Sequence, residues 1–211
     1  MENQTEFYEP FINFMQQTVE VDPETITMVA THSREITISK KQFILMENDF
    51  CNKVLFIVSG KAKSYYTNPN GKTSNWMFHF NDENSHPKNL FLVDYKSFLG
   101  NMPSSVSIVS LTEIKAILFT REQIEFLKEY STSYAKWLSS LNEAAFVITY
   151  NRVFSLLALS AKERYEKLLL EEPYLLQLFS NYDVASYLGL APQSLSRISA
   201  KSKNKVPFKS D

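Results

Sequence analysis

An α+β fold is predicted, with a strand-rich first half followed by a helical second half. Three observations carry that prediction. Short β-rich runs separated by turn residues fill residues 33–120. Gly60, Gly71 and Gly100 fall in this half and Gly189 stands alone in the other. At Thr120-Arg-Glu-Gln123 the pattern changes to a capping box, a hydroxyl N-cap with Gln three residues on, and helical spacing follows.

The strands read in order. Arg34-Glu-Ile-Thr-Ile-Ser39 alternates as a half-buried strand does, and Val54-Leu-Phe-Ile-Val58 is a continuous β-rich run ended by Ser59-Gly60. Lys61–Thr67 alternates again up to Asn68-Pro-Asn-Gly71, a hairpin signal, because Pro presets one dihedral while Asn and Gly tolerate positive φ. Trp76–Phe80 is the returning partner. Ser105–Leu111 and Ile114–Phe119 close a set of short strands whose near-regular spacing points to a barrel or roll.

The helices follow. One runs from Thr120 to about Tyr130. A longer one, about residues 133–157, carries Tyr134, Trp137, Leu138, Leu141, Ala145 and Ile148 at spacings of three and four. Leu138, Leu141, Ala145 and Ile148 also fit a coiled-coil seam, so this helix packs either on its own β domain or on a second chain. Ser160-Ala-Lys-Glu163 starts a further helix that must end by Pro173.

Composition narrows the function classes. Lys and Arg number 22 against 23 Asp and Glu, a net charge of -1, which excludes wholesale electrostatic coating of nucleic acid. The single Cys51 excludes an intramolecular disulfide framework, a Cys-rich zinc site and a Cys-ligated iron–sulfur cluster within one chain. His32, His79 and His86 show no ligand spacing, so no metal and no cofactor are expected. Met1–Pro10 already carries three Glu, and no apolar run reaches 18 residues. A soluble, cytoplasmic protein with no membrane partner is expected.

Function concentrates after Ser180. Val184, Ala185 and Leu188 give a short helix an apolar face, and Gly189 sits where that helix must stop. Pro192 suits the first turn of a second helix. There Leu195 and Ile198 face inward and leave Gln193, Ser194, Ser196 and Arg197 outward. Arg pairs bidentately with guanine and Gln with adenine, while Ser hydroxyls and helix N-terminal amides hold phosphate oxygens. Residues 181–211 hold five basic and two acidic residues, a local charge of +3 that leaves −4 for the rest. Lys201 opens a basic tail expected to touch phosphates, and Pro207 ends any helix there.

Tyr187-Leu-Gly-Leu-Ala-Pro-Gln-Ser-Leu-Ser-Arg-Ile198 closely resembles the helix-turn-helix signature of the Crp/Fnr superfamily of bacterial transcription regulators. Leu55-Phe-Ile-Val-Ser-Gly-Lys61 resembles the strand-turn of its cyclic-nucleotide-binding-like β-roll. Leu156–Leu169 resembles the junction of its dimer helix with the DNA-binding domain. The resemblance implies a β-roll of double-stranded β-helix, or jelly-roll, type over 1–132, a dimerisation helix over 133–157, and a winged-helix-type helix-turn-helix domain over 158–211. It further implies a homodimer on a palindromic operator, with Gln193, Ser194, Ser196, Arg197 and Lys201 on DNA and Leu138, Leu141, Ala145 and Ile148 in the seam. RNA polymerase and an effector of unknown identity are the remaining implied partners.

The resemblance fails first in the effector region. Members that bind cyclic AMP carry a Gly-Glu pair for the ribose and an Arg for the phosphate. Here Val93-Asp94 and Ser104 stand there, so the effector region is Asp94, Ser104 and Ser105 and cyclic AMP is not expected. Two other classes compete. A cupin-type enzyme needs clustered His and Glu around a metal, and no His-x-His occurs, so no catalytic residue is expected. The other is a ligand-binding or interaction module with degenerate DNA binding, because Ser199 stands where a basic residue is usual.

Overall fold

The computed structural model describes residues 7–85 and 88–203, with the side chains of 202 and 203 excepted. Helices α1 (Glu9–Gln16) and α2 (Pro23–Thr31) precede the strands β1 (Arg34–Ile38), β2 (Phe43–Leu45), β3 (Lys53–Thr67), β4 (Thr73–Asn81) and β5 (Phe91–Leu92). A short helix α3 (Tyr95–Gly100) leads into β6 (Ser107–Ser110) and β7 (Ile114–Thr120). Helices α4 (Arg121–Tyr130), α5 (Thr132–Ala158), α6 (Ala161–Glu171), α7 (Leu175–Leu178), α8 (Asn181–Tyr187) and α9 (Pro192–Lys203) complete the order. No described helix is long and apolar enough to cross a membrane.

The expected strands at 54–58 and 61–67 are one strand. β3 pairs β7 and β5 through its first half and β4 and β6 through its second, so it passes from one layer of the roll to the other. Gly60 makes the passage possible: its φ is 108°, and a Cβ there would lie 2.4 Å from the Glu113 carbonyl oxygen. The β3–β4 hairpin turns at Asn68-Pro-Asn-Gly71 as expected, with Gly71 at φ 77° and its N–H donating to the Asn68 carbonyl.

Both capping boxes form. Thr120 Oγ1 accepts from the Gln123 N–H while Gln123 Oε1 accepts from the Thr120 N–H, and Ser160 and Glu163 do the same. The roll's core is an aromatic knot in which Phe11 of α1 meets Phe119, Trp137 and Phe56 at ring-centroid distances of 4.8, 5.0 and 5.3 Å. A second core joins Phe78 and Phe80 of β4 to Tyr165, Phe179, Val184, Leu188 and Leu195 of the later helices.

Helix α5 turns part of the expected seam toward the roll. Leu138 and Leu141 pack against the roll's core, beside the buried Tyr134 and Trp137, and Ala145 and Ile148 lie along the same side. Apolar residues also stand exposed on the opposite side, at Val147, Tyr150, Phe154 and Leu157, flanked by Phe146 and Val153, while Ile148, which lines the cavity, is itself 50% exposed. Periodicity finds one stripe where the helix has two, because α5 is apolar on opposite sides. No strand occurs among the described residues beyond Thr120, so the wing of the expected winged helix is not among them. The tail residues Lys205, Pro207 and Lys209, and His86, lie outside the described residues.

Candidate nucleic-acid interface and effector cavity

Helix α8 ends in a complete left-handed stop. Gly189 has φ 69°, its N–H donates to the Ser186 carbonyl, and the Leu190 N–H donates to the Ala185 carbonyl at 2.8 Å. The chain then enters α9, where Leu195 is buried and Ile198 is half-buried against the second core. Gln193, Ser196, Arg197 and Lys201 are exposed on the opposite side, whereas Ser194 is half-buried. Ser196 Oγ donates to the Pro192 carbonyl at 3.1 Å. The structure therefore brings four of the five sequence-predicted contacts onto one open face. Lys201 lies inside α9, not in a tail beyond it.

Helix α8 is fastened to the roll. Lys63 Nζ of β3 meets Asp183 Oδ1 at 2.6 Å, the Asn75 N–H donates to Ser186 Oγ at 2.9 Å, and Phe78 stacks on Phe179 at 3.9 Å. Burial pushes the Asp183 carboxyl up, but hydrogen bonds from Lys63, Ser180 and Asn75 outweigh it and hold the group below its ordinary value. At the centre, the buried Arg152 of α5 donates to the carbonyls of Trp76 at 3.2 Å, Asn75 at 3.4 Å and Tyr187. Its guanidinium lies 3.7 Å from the centroid of the Tyr187 ring. Tyr187 Oη in turn donates to Glu172 Oε2 at 3.3 Å. Burial pushes the Glu172 carboxyl above its ordinary range.

The other side of β4 faces a cavity of about 580 Å³ between the roll and α5. A β-bulge divides the two sides. Ser64 pairs Met77 and Tyr65 pairs Asn75, so Trp76 is the extra residue. The bulge lets Asn75 and Phe78 turn toward α8, and Phe80 toward Tyr174 and Phe179 before it, while Trp76, Met77 and His79 line the cavity. A smaller cavity of about 230 Å³ lies at the clamp and shares Met77, Lys88, Asn89 and Ile148 with the larger one. Neither Arg152 nor the bulge is visible to motif reading; a lone charged residue in the second half of α5 is the local signal.

Asp94 and Ser105 of the expected effector region line the large cavity, and Ser104 joins them through hydrogen bonds. On its floor His79 is buried, its Nδ1–H donating to the Phe91 carbonyl at 2.7 Å and its Nε2 accepting from the Ser64 hydroxyl at 3.1 Å. Burial lowers the His79 pKa from 6.5 to about 4. The unfolded chain therefore takes up a proton at this residue near pH 6.5 and the folded chain does not until about pH 4, so stability present at neutral pH is lost as pH falls through that window. The melting temperature is expected to drop between pH 6.5 and 5, above the range where most carboxylates titrate, and His79→Gln is expected to flatten that drop in thermal melts. Among the described residues, no three His, Cys, Asp or Glu side chains converge to hold a metal ion.

Residues 35–130 match the family model of the cyclic nucleotide-binding domain. Among solved structures, FixK2 from Bradyrhizobium japonicum is similar at a TM-score of 0.65 and 18% identity, over 85% of this chain and 89% of that one. The c-di-GMP responsive global regulator CLP from Xanthomonas campestris is similar at 0.65 and 13%, over 87% and 92%. A regulator of the crp/fnr family from Eubacterium rectale is similar at 0.64 and 14%, over 94% and 88%. No curated protein matches the sequence. The chain has the fold of the Crp/Fnr-type regulators.

Proposed function

We propose that this chain is a homodimeric, sequence-specific DNA-binding transcription regulator of the Crp/Fnr type whose roll responds to a small molecule. The observation that carries the reading is the outer face of α9, where Gln193, Ser196, Arg197 and Lys201 stand exposed over a buried Leu195. Residues 1–132 form the sensor, 133–157 the dimerisation helix and 158–211 the DNA-binding part. Two copies pair along the exposed stripe of α5, which sets two α9 helices on half-sites one helical turn of about 34 Å apart. RNA polymerase is the partner on which such a regulator acts.

Transmission runs through β4. A molecule filling the large cavity presses on Trp76, Met77 and α5, and the opposite side of the same strand holds α8 through Asn75 on Ser186 and Phe78 on Tyr187. The effector then biases how α9 is presented to the groove, which is the differential contact a population shift needs. Arg197→Ala is expected to cost about 1–3 kcal/mol on a selected palindrome and to relax base preference, measured by gel retardation across a panel of altered sites. Equal affinity of the parent and Arg197→Ala would overturn the role given to Arg197. Selection of DNA fragments by the purified protein, with retardation that weakens steeply as salt rises, tests the reading as a whole.

A further inference from the structure

Arg152 brings a positive charge into the interior with no counter-ion against it. Among the described residues no carboxylate forms an ion pair with its guanidinium. Its three hydrogen bonds all go to neutral carbonyls and use Nε and Nη2 alone. Buried charges are ordinarily paired, because an uncompensated ion in a low-dielectric interior is costly. No fully enclosed side-chain nitrogen or oxygen among the described residues lacks a partner, so Nη1 opens on space, and the space that Arg152 lines is the smaller cavity at the clamp.

A second guanidinium lines the same wall. Arg164 of α6 donates through Nε to the Leu188 carbonyl at 2.8 Å and through Nη1 to the Leu159 carbonyl at 2.5 Å, which leaves its Nη2 without a hydrogen bond. Burial holds the Arg152 pKa below its ordinary value, and the like charge of Arg164 pushes the same way against Tyr187, Glu172 and Tyr66. Lys88 and Lys167 complete the cations of the wall. Against them stand Glu171, which Lys167 Nζ holds at 2.8 Å, and Glu172, whose Oε2 accepts from Tyr187 Oη and which is in no ion pair. Positive charge is therefore in excess. The rest of the lining is apolar, with Met77 of β4, Ile148 of α5, Leu168 of α6 and Leu175 of α7. A volume of about 230 Å³ exceeds the roughly 150 Å³ that accepts a benzene ring, which leaves room for a short acidic arm.

We propose that the clamp cavity is a second ligand site, separate from the cavity of the roll, and that it takes a small organic acid. The carboxylate sits on the guanidinium groups of Arg152 and Arg164, and the apolar body lies against Met77, Leu168 and Leu175. Both arginines already hold the carbonyls that end α8, those of Tyr187 and Leu188, so a shared carboxylate ties α5 and α6 together at the root of α9. The site does not depend on the regulator reading; only its consequence for DNA does.

The full-length protein is titrated calorimetrically, at fixed ionic strength, with 3-phenylpropionate and with its neutral amide. Saturable binding of the acid is expected, with the amide at least about tenfold weaker, because bonds from a guanidinium to a carboxylate are about twice as strong as those to a neutral acceptor. Arg164→Gln should weaken the acid about tenfold and leave the amide unchanged, a pattern that a merely loosened fold would not give. Ser155→Trp, at a buried position on the clamp wall, should abolish acid binding while the melting curve stays cooperative. Ala145→Trp, which lines the roll's cavity but not this one, should leave it unchanged. No binding of the acid at millimolar concentration, or equal affinity for acid and amide, would overturn the proposal. So would binding that is lost in Ala145→Trp and kept in Ser155→Trp, or inorganic phosphate competing as well as the acid, since phosphate has no apolar body. Gel retardation on the same sample separates the two failures. Protein that binds DNA but not the acid refutes the second site alone, and protein that binds the acid but no DNA refutes the regulator reading alone.

Discussion

Replacing Arg152 by methionine is expected to release α8 and α9 from the roll and split one unfolding transition into two. Arg152 is 7% exposed, and its guanidinium serves three carbonyls on two parts of the chain, those of Asn75 and Trp76 on β4 and that of Tyr187 on α8. Methionine fills most of the volume and supplies none of the donors. Each buried acceptor left without a partner costs about 1–3 kcal/mol, and the half-buried Glu172 loses the attraction of the Arg152 cation. The docking of the C-terminal helices should therefore weaken by about 3 kcal/mol or more, while the aromatic knot around Phe11 and Trp137, which touches none of these groups, stays intact. Limited proteolysis should then cut near the α5–α6 junction, and differential scanning calorimetry should resolve two transitions. Arg152→Lys should fail almost as badly, since one ammonium cannot span acceptors that a planar fork reaches together. A single transition at the parent temperature would show that the clamp is incidental.

The same residues show what local sequence conveys and what it hides. Hairpin, capping boxes, Gly189 stop and α9 were legible because each is decided within a few neighbouring residues: a positive φ, a hydroxyl three positions before an acceptor, an apolar pair on a polar helix. Helices α1 and α2 were not, because eight or nine residues carry little periodic signal and Phe11 finds its partners on Phe56, Phe119 and Trp137, far along the chain. The continuity of β3 was hidden by Gly60, which reads as a turn and acts as a kink inside a strand. Of the candidate site, the exposure of Gln193, Ser196 and Arg197 was readable from spacing, whereas Lys201 read as a tail residue and Ser194 as exposed. The Asp94 carboxylate was readable only as the absence of an expected pattern, since its meaning comes from donors ten and eleven residues away.

Tyr150→Glu combined with Phe154→Glu is expected to convert a dimer into folded monomers and to lower operator affinity by about a hundredfold or more. Tyr150 and Phe154 are 60% and 55% exposed in the isolated chain, their rings stacked at 6.5 Å, with Leu157 at 83% one turn further on. So large an apolar stripe on one helix is unusual for a surface that stays wet, and its steps of three and four residues, from Val147 to Tyr150, Phe154 and Leu157, are those of a two-helix seam. Two carboxylates per chain would face two more across the symmetry axis, so pairing would fail by repulsion as well as by lost burial. The loss on DNA follows from linkage: two half-site contacts joined in one body gain about 10²–10⁴ in affinity over one, and monomers forfeit that gain. Sedimentation equilibrium reports the oligomeric state, and retardation of a two-half-site fragment at fixed salt reports the affinity. Leu138→Glu makes the contrast, because Leu138 packs into the roll's core. That change should lower the melting temperature, where the double change on the exposed stripe should leave the monomer's own fold in place. Were Leu138→Glu to yield well-folded monomers and the stripe variant a stable dimer, the seam would lie on the side of α5 that faces the roll, and the pairing geometry would have to be redrawn around it.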